Sequence, residues 1–405
     1  MSAPWLNIIG IGEDGVEGLS SAAQTLVRNA HYVIGGARHL SLAKELVRGE
    51  AHQWPVPFSK GIEQVLEWRG SPVAVLASGD PFCFGAGSAL AKHIRPDEMI
   101  CIPLPSSISL ACSRLGWGWQ DVRVVSLCGR PLETLAPVLQ PDTRLIVLSA
   151  DATTPALVAE YLCGYGFGAS RLHVLESLDG VDEEIRAFHA DEALPEFKAL
   201  NLLCIELQAS LNARIIPLCS GLDDDLFEHD GQLTKREIRA VTLSSLSPTV
   251  GQMLWDVGAG AGSIAIEWML RHPSNRAIAV ERDPERAARI ARNALSLGVP
   301  GLKIVVGRAP QVLEALEQPD AIFIGGGLSD VEIFDRAWSA LPAGGRLVAN
   351  AVTLEGEAVM MSRFERYNAN LTRIGVERLD NVGRLHAFRP AMRVMQLVAR
   401  KGAEA

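Results

Sequence analysis

The strand-like run Met253–Val257 carries Asp256-Val257-Gly258-Ala259-Gly260-Ala261-Gly262, and the chain then enters a helical stretch, Ser263–Arg271, without a break. Small residues let backbone approach a ligand closely, and the first turn of a helix offers free N–H groups. The next strand candidate, Arg276–Glu281, ends on an acid 19 residues after Gly262. A carboxylate there can accept hydrogen bonds from both hydroxyls of a ribose, because it is an acceptor-only group. Asp256 suits an amino group or a loop amide, and Asp283-Pro284 reads as the cap of the following helix. Strand, glycine loop, helix, strand and acid in this order make a nucleoside-binding half-site. The GxGxG spacing, in place of GxGxxG, favours S-adenosylmethionine (SAM) over NAD. Gly307-Arg308-Ala309-Pro310 ends the strand after that, where a backbone amide can read an adenine edge.

A second glycine loop lies near the start. Gly10-Ile11-Gly12-Glu13-Asp14-Gly15 fits GxGxxG and follows a strand, which is the form of a dinucleotide site. Three features argue against that reading. The next helix begins only near Ser21, no Asp or Glu occurs between Glu17 and Glu45 to hold a ribose, and Glu13 and Asp14 would repel a pyrophosphate. The loop therefore reads as a tight turn or as the floor of a cleft for another ligand. Ser78-Gly79-Asp80-Pro81-Phe82-Cys83-Phe84-Gly85 follows the apolar run Val73–Ala77 and makes a sharp turn at a strand end, where α/β proteins usually bind ligands.

These loops need an α/β scaffold, and both halves supply one. The first half has strand candidates at Leu6–Gly10, Val73–Ala77, Met99–Ile102, Arg144–Ser149 and Leu200–Leu207, with helical patterns such as Ala22–Asn29 and Thr154–Leu162 between them. In the second half, Thr234–Leu246 reads as a helix with Thr234 as N-cap and Glu237 completing a capping box. Strands Lys303–Val306, Ala321–Ile324 and Gly345–Asn350 alternate with helices Pro284–Leu297, Val331–Ala340 and Leu354–Phe364. Leu371–Val376 and Met392–Ala399 are expected to close the sheet as an antiparallel pair. The segment between Gln208 and Gly221 holds a Pro and precedes an Asp run, which puts the domain border at 211/212.

With 405 residues, two domains are the default. The 48% apolar content excludes a disordered chain, and a net charge of −9 disfavours a non-specific nucleic-acid binder. No run approaches the roughly 20 apolar residues of a membrane span. Met1–Gly15 has no basic residue and does not read as a secretory leader. Seven cysteines without a CxxC are expected to be free thiols in a reducing cytoplasm, and no zinc ligand set is expected.

The ordered set GxGxxG, SGDPFCFG, Ile102-Pro103-Leu104-Pro105-Ser106-Ser107 and Leu115-Gly116-Trp117-Gly118-Trp119-Gln120-Asp121 resembles the tetrapyrrole methylase family, and more narrowly its precorrin C5-methyltransferase branch. The resemblance covers about residues 5–207 and implies two α/β lobes with SAM in the cleft between them. It assigns SAM contacts to Ser78, Gly79, Asp80, Cys83, Ser106, Ser107 and Leu148. Glu13 and Asp14 stand where many members have Pro. From residue 215 or so onward, GLDDDLF, Thr234-Lys235-Arg236-Glu237-Ile238-Arg239, DVGAGAGSIAIE, GRAP and PDAIFIGGG resemble the decarboxylating precorrin C15-methyltransferases. That family has a Rossmann-like SAM-dependent methyltransferase fold. It implies SAM contacts at Thr234, Gly258, Ala259, Gly260, Ala261, Gly262, Glu281 and Ala309, beside the Asp256 and Arg308 singled out above.

Together the resemblances imply one SAM per domain. Residues 1–211 would methylate C5, and residues 212–405 would methylate C15 and decarboxylate the C12 acetate, turning precorrin-6B into precorrin-8 for cobalamin. Methyl transfer to an electron-rich meso carbon needs positioning rather than a protein nucleophile, in keeping with the absence of a triad pattern. Glu267 and His229 are conceivable acids for the decarboxylation, though each reads better as a surface or capping residue. Arg308, and a loose cluster of Arg378, Arg384, His386 and Arg389 on an extended connection, could meet substrate carboxylates or be solvated. The family resemblance implies homo-oligomers. Two other readings stay open: a methyltransferase of RNA or protein, and a tetrapyrrole carrier that binds SAM without turnover.

Overall fold

The computed structural model describes residues 4–402; residues 1–3 of the stretch read as lacking a leader, and the outer ends of both expected domains, lie outside the described residues. The chain divides into two compact units. One comprises 1–132 and 140–214, the other 215–405 with the short 133–139 segment.

The first unit holds two five-stranded sheets. In the first sheet, β1 (Leu6–Ile11), β2 (Tyr32–Gly35), β3 (Glu50–Gln53), β4 (Val73–Ser78) and β5 (Met99–Ile102) are all parallel, in the order β3-β2-β4-β1-β5. All six positions of β1 are buried, as is β4 except at its last residue. A parallel strand is covered on both faces, so its sequence is continuously apolar. Its faces are covered by α1 (Ser21–Arg28), α2 (Ala37–Leu42), α3 (Phe58–Glu67) and α4 (Ala86–Leu90). The second sheet runs β6-β7-β10-β8-β9, from β6 (Val122–Ser126), β7 (Arg144–Leu148), β8 (Arg171–Glu176), β9 (Glu184–His189) and β10 (Asn201–Glu206). Only β6 and β7 pair in parallel there. The helices α5 (Ser107–Leu115) and α6 (Thr154–Gly164) complete this unit. Of these strands, β2, β3, β6, β8 and β9 went unread in the sequence; β9 alternates exposed with half-buried positions, and β3 is mostly exposed.

The second unit is built on a seven-stranded sheet of order β13-β12-β11-β14-β15-β19-β16. Its strands are β11 (Met253–Val257), β12 (Arg276–Glu281), β13 (Lys303–Val306), β14 (Ala321–Ile324), β15 (Arg346–Ala351), β16 (Asn370–Ile374) and β19 (Val394–Arg400). The first five are parallel; β19 runs antiparallel to β15 and to β16, as the late apolar runs predict. The helices are α7 (Arg236–Leu246), α8 (Ser263–Leu270), α9 (Pro284–Ser296), α10 (Val331–Ala340) and α11 (Leu354–Arg363). Asp283 caps α9 by accepting from the Glu285 and Arg286 N–H groups, with Pro284 at the first position.

Three expectations are corrected here. Thr234 is not the N-cap of α7: the cap is Lys235, without a side-chain bond. The capping box does not form: the cap sits one residue on, the Glu237 carboxylate pairs with Arg378, and the Thr234 carbonyl accepts from Arg239. Nor is the connection between β16 and β19 merely extended. It folds into a hairpin of β17 (Glu377–Val382) and β18 (Leu385–Pro390), turning at Gly383 with φ +63°. The loose basic cluster stays on this hairpin, with Arg378 and Arg389 as register partners, but two of its charges are spent: Arg378 pairs with Glu237 of α7, and Arg389 with Asp380 across the hairpin at 2.9 Å. Finally, Glu267 is not a surface residue but is fully buried in α8.

All seven cysteines are free thiols. Among the described residues no helix is long and apolar enough to cross a membrane, and no group of three or more His, Cys, Asp or Glu is placed to hold a metal ion.

Candidate functional site

In the second unit the strand order reverses at β11, whose C-terminal end lies beside that of β14; ligands of open α/β sheets bind at such a point. The loop leaving β11 holds Gly258, Gly260 and Gly262 at φ +73°, +58° and +77°, a left-handed region that side chains disfavour. Space is as restrictive as backbone angle. A Cβ on Gly258 would lie 2.8 Å from the Gly326 nitrogen, and one on Gly262 2.7 Å from the Ile290 side chain. A Cβ on Gly260 would lie 2.9 Å from the Gln232 carbonyl, so the segment leading to half-buried Thr234 runs past the loop.

The loop is tied to the end of β12. Gly258 and Ala259 donate N–H bonds to the Val280 carbonyl at 2.9 and 3.1 Å, and Gly260 donates to Glu281 Oε2 at 2.9 Å. Glu281 Oε1 accepts from the Asp283 N–H at 3.1 Å. This buried carboxylate has lone pairs beyond those two bonds, so it can still meet hydroxyl donors. Asp256 Oδ2 accepts from the Ala265 N–H at 3.0 Å in α8, while buried Asp256 Oδ1 has no partner. Burial pushes this carboxyl up to about 7, against the bond from Ala265 and with a further push from Glu281. An orphaned buried acceptor beside a glycine loop fits a ligand with a donor group, such as the amino group of SAM. Ala261 and Ala309 are buried. Ala309 lies just past β13, whose Val306 is the register partner of Glu281; neighbouring Arg308 is exposed.

Glu267, weighed as an acid, is committed elsewhere. It accepts from the Gly221 and Leu222 N–H groups at 2.7 and 2.9 Å and from Arg239 Nε at 2.5 Å, with both side chains wholly buried. The sequence signal was present: after Ser263 at its start, α8 is apolar all round except for this acid. Arg239 lies on the buried stripe of α7 with Thr242, Leu243 and Leu246. His229 shapes a turn, with Nδ1 accepting the Gly231 N–H at 3.1 Å.

In the first unit the residues assigned to SAM also converge. Gly79 donates its N–H to the Ile11 carbonyl at 3.1 Å, and its own carbonyl accepts from Leu104 at 3.0 Å. A Cβ on Gly10 would lie 1.9 Å from the Gly79 oxygen; one on Gly79 would lie 2.6 Å from the Pro105 oxygen and 3.2 Å from the Ser106 Cα. The ends of β1, β4 and β5 meet only because both positions are glycine. Asp80 Oδ1 accepts the Phe82 N–H at 2.8 Å and sets the turn. Ser106 caps α5 by accepting the Ser109 N–H at 3.1 Å, and Ser107 is exposed at its first position. Burial pushes the Cys83 thiol up, a hydrogen bond with Ser106 opposing it. Cys83 and Leu148 pack on the same apolar cluster around Ile108.

Sequence reading missed the partners of Ser78. Its Oγ lies 2.9 Å from Arg38 Nη2 and 2.8 Å from His39 Nε2, and Arg38 in turn ion-pairs with Glu13. Arg38 only donates, so His39 Nε2, 3.0 Å away, accepts and the ring is neutral. Burial, then the Arg38 charge, push His39 down to about 4. The one hint was the acid at Glu13, where many members of the resembled family have Pro.

Comparison with known proteins gives two family matches: a model described as "Precorrin methyltransferase domain" over residues 225–401, and one described as "Tetrapyrrole (Corrin/Porphyrin) Methylases" over residues 6–178. A precorrin-6Y C(5,15)-methyltransferase (decarboxylating) from a Sinorhizobium species is 51% identical over 99% of this chain and 97% of that protein. The same-named Mycobacterium tuberculosis protein is 37% identical over 96% of this chain and 98% of its own. Among solved structures, the C-terminal domain of a precorrin-6Y C5,15-methyltransferase from Rhodobacter capsulatus matches with 37% identity, covering 46% of this chain and 100% of that one at a TM-score of 0.44.

Proposed function

The chain belongs to the family of decarboxylating precorrin-6Y C(5,15)-methyltransferases, and on that premise we propose that each of its two units carries out one of the methyl transfers with its own SAM. It is a decarboxylating methyltransferase of cobalamin biosynthesis, with an N-terminal tetrapyrrole methylase domain and a C-terminal methyltransferase domain. The first unit methylates C5. The second methylates C15 and releases the C12 acetate carboxyl as CO2, so that precorrin-6B becomes precorrin-8.

SAM, when bound, supplies an electrophilic methyl group on a sulfonium sulfur. In the second unit Gly258 through Gly262 provide the close backbone approach, Glu281 holds the ribose hydroxyls, and Asp256 Oδ1 accepts from the amino group. Arg308 and Ala309 flank the adenine, and Thr234 borders the donor from the segment that passes the loop. In the first unit the backbone at Ser78, Gly79 and Asp80, with Cys83, Ser106, Ser107 and Leu148, lines the donor cleft. No side-chain nucleophile is needed, since a meso carbon of the macrocycle attacks in line; the chain aligns the partners and keeps water out. Free cysteines and a small diffusible substrate support a cytoplasmic enzyme, which we take to be a homo-oligomer acting on neither nucleic acid nor membrane.

The observation that carries this reading is the unpartnered, buried Asp256 oxygen beside a loop whose three glycines have no room for side chains. Mass spectrometry of products from the full chain tests it. Glu281→Ala is expected to abolish the C15 methyl gain and the CO2 loss while leaving one methyl addition. If Glu281→Ala still yields the decarboxylated product at the wild-type rate, the division of labour falls.

A further inference from the structure

A cavity of about 250 Å³ opens in the first unit, lined by Phe84, Lys92, Ser126, Cys128 and Arg130 among others. Two of its walls continue from residues assigned to the methyl donor: Phe84 follows Cys83, and Ser126 is the register partner of Leu148. Sites for drug-sized ligands are roughly 300–1,000 Å³. This one has room for an arm of a ligand and not for a macrocycle.

Two cations, Lys92 and Arg130, line it, and no acid does. Elsewhere in the same unit Arg38, Arg95, Arg114 and Arg186 each hold an acid. Lys92 and Arg130 hold none among the described residues, although the chain as a whole carries −9. The Arg130 guanidinium lies over the Phe84 ring, 5.6 Å from its centroid. Stacking on a ring restrains the side chain while leaving its N–H edge free for a planar, two-oxygen acceptor.

We propose that Lys92 and Arg130 form a carboxylate-binding niche at the mouth of the C5 methyl-transfer cleft. The inference rests on the assignment of C5 methylation to this unit. A carboxylate can come from an acidic arm of the precorrin or from the methionine end of SAM, and the two are separable by kinetics.

The test uses the full chain with Lys92→Gln, Arg130→Gln, the pair combined, and Arg130→Lys, following C5 and C15 methylation by mass spectrometry. The combined variant is expected to raise the KM of one ligand at least tenfold in the C5 step, with C15 kinetics unchanged and part of the effect rescued by Arg130→Lys. A rise in the precorrin KM assigns the niche to the macrocycle; a rise in the SAM KM assigns it to the methyl donor. If both KM values stay at wild type, the niche is overturned and the C5 assignment stands. If the wild-type chain performs the C15 step but never the C5 step, the C5 assignment fails, and the niche with it. Should the combined variant misfold, Arg130→Gln alone, at an exposed position, is expected to raise the same KM at least threefold.

Discussion

In the second unit the candidate methyl-donor site sets buried acids from two strands beside a glycine loop, whereas in the first unit the candidate site consists mainly of backbone groups where three strand ends meet. Asp256 and Glu281 are both buried, and one Asp256 oxygen waits without a partner. In the first unit Ser78 is engaged by Arg38 and His39, Ser106 caps a helix, and Asp80 shapes a turn. A site of the first kind leaves its residue types exposed to sequence reading. A site of the second kind depends on close backbone approach, as at Gly10 and Gly79, and its side chains mostly serve the scaffold.

The largest effect expected from this contrast comes from the charge pair behind the second site. Glu267→Ala leaves Arg239 charged, buried and short of an acceptor, which costs about 3–5 kcal/mol. Urea unfolding of the full chain, followed through the C15 activity, checks this; a loss below 1 kcal/mol would mean that the buried acids of this unit are not what holds it. The next effect lies in the first unit. Gly10→Ala drives a methyl group into backbone on two sides, at an expected cost of about 1–3 kcal/mol, or more if the strand ends cannot shift. C5 methylation should fall away while C15 methylation persists, and retention of both would show that the strand ends need not meet so closely.

The smallest effect is a pair of opposite pH slopes. Asp256 stands at about 7 when folded, above the ordinary carboxyl value, so the folded state binds the extra proton between about pH 4 and 7. Its contribution is complete below about pH 4 and is lost as pH rises toward 7, with a slope of at most about 1.4 kcal/mol per pH unit. His39 stands at about 4, below its ordinary value, so its contribution is present above about pH 6.5 and lost as pH falls toward 4. Melting temperature against pH should therefore flatten in opposite senses for Asp256→Asn and His39→Gln. The asparagine keeps an acceptor for the Ala265 N–H. Parallel changes in the two variants would erase the contrast between the sites.

Much of this was legible beforehand. The apolar runs of β1, β4 and β11 are parallel strands covered on both faces, and such strands announce themselves by composition. The GxGxG loop with Glu281 was legible because its small residues, the helix start and the acid follow one another at short spacing along the chain. The hairpin of β17 and β18 was not, since its residues are largely exposed and carry no period tied to a core. Thr234 failed as a cap for a different reason: the helix begins one residue later, with Lys235 as its cap, and Glu237 is paired with Arg378, 141 residues away.

Sequence alone thus determined the two α/β halves, the loop of small residues, and the acids that flank it, because local spacing and local apolarity encode them. Tertiary structure decided which charges are spent. It joined Glu267 to Arg239 and Glu13 to Arg38, matched Arg378 and Arg389 of the hairpin with acids, and left Lys92 and Arg130 facing one cavity. Pairing of charges is a matter of distances through space, and residues 28 or 25 positions apart carry no record of it in their spacing.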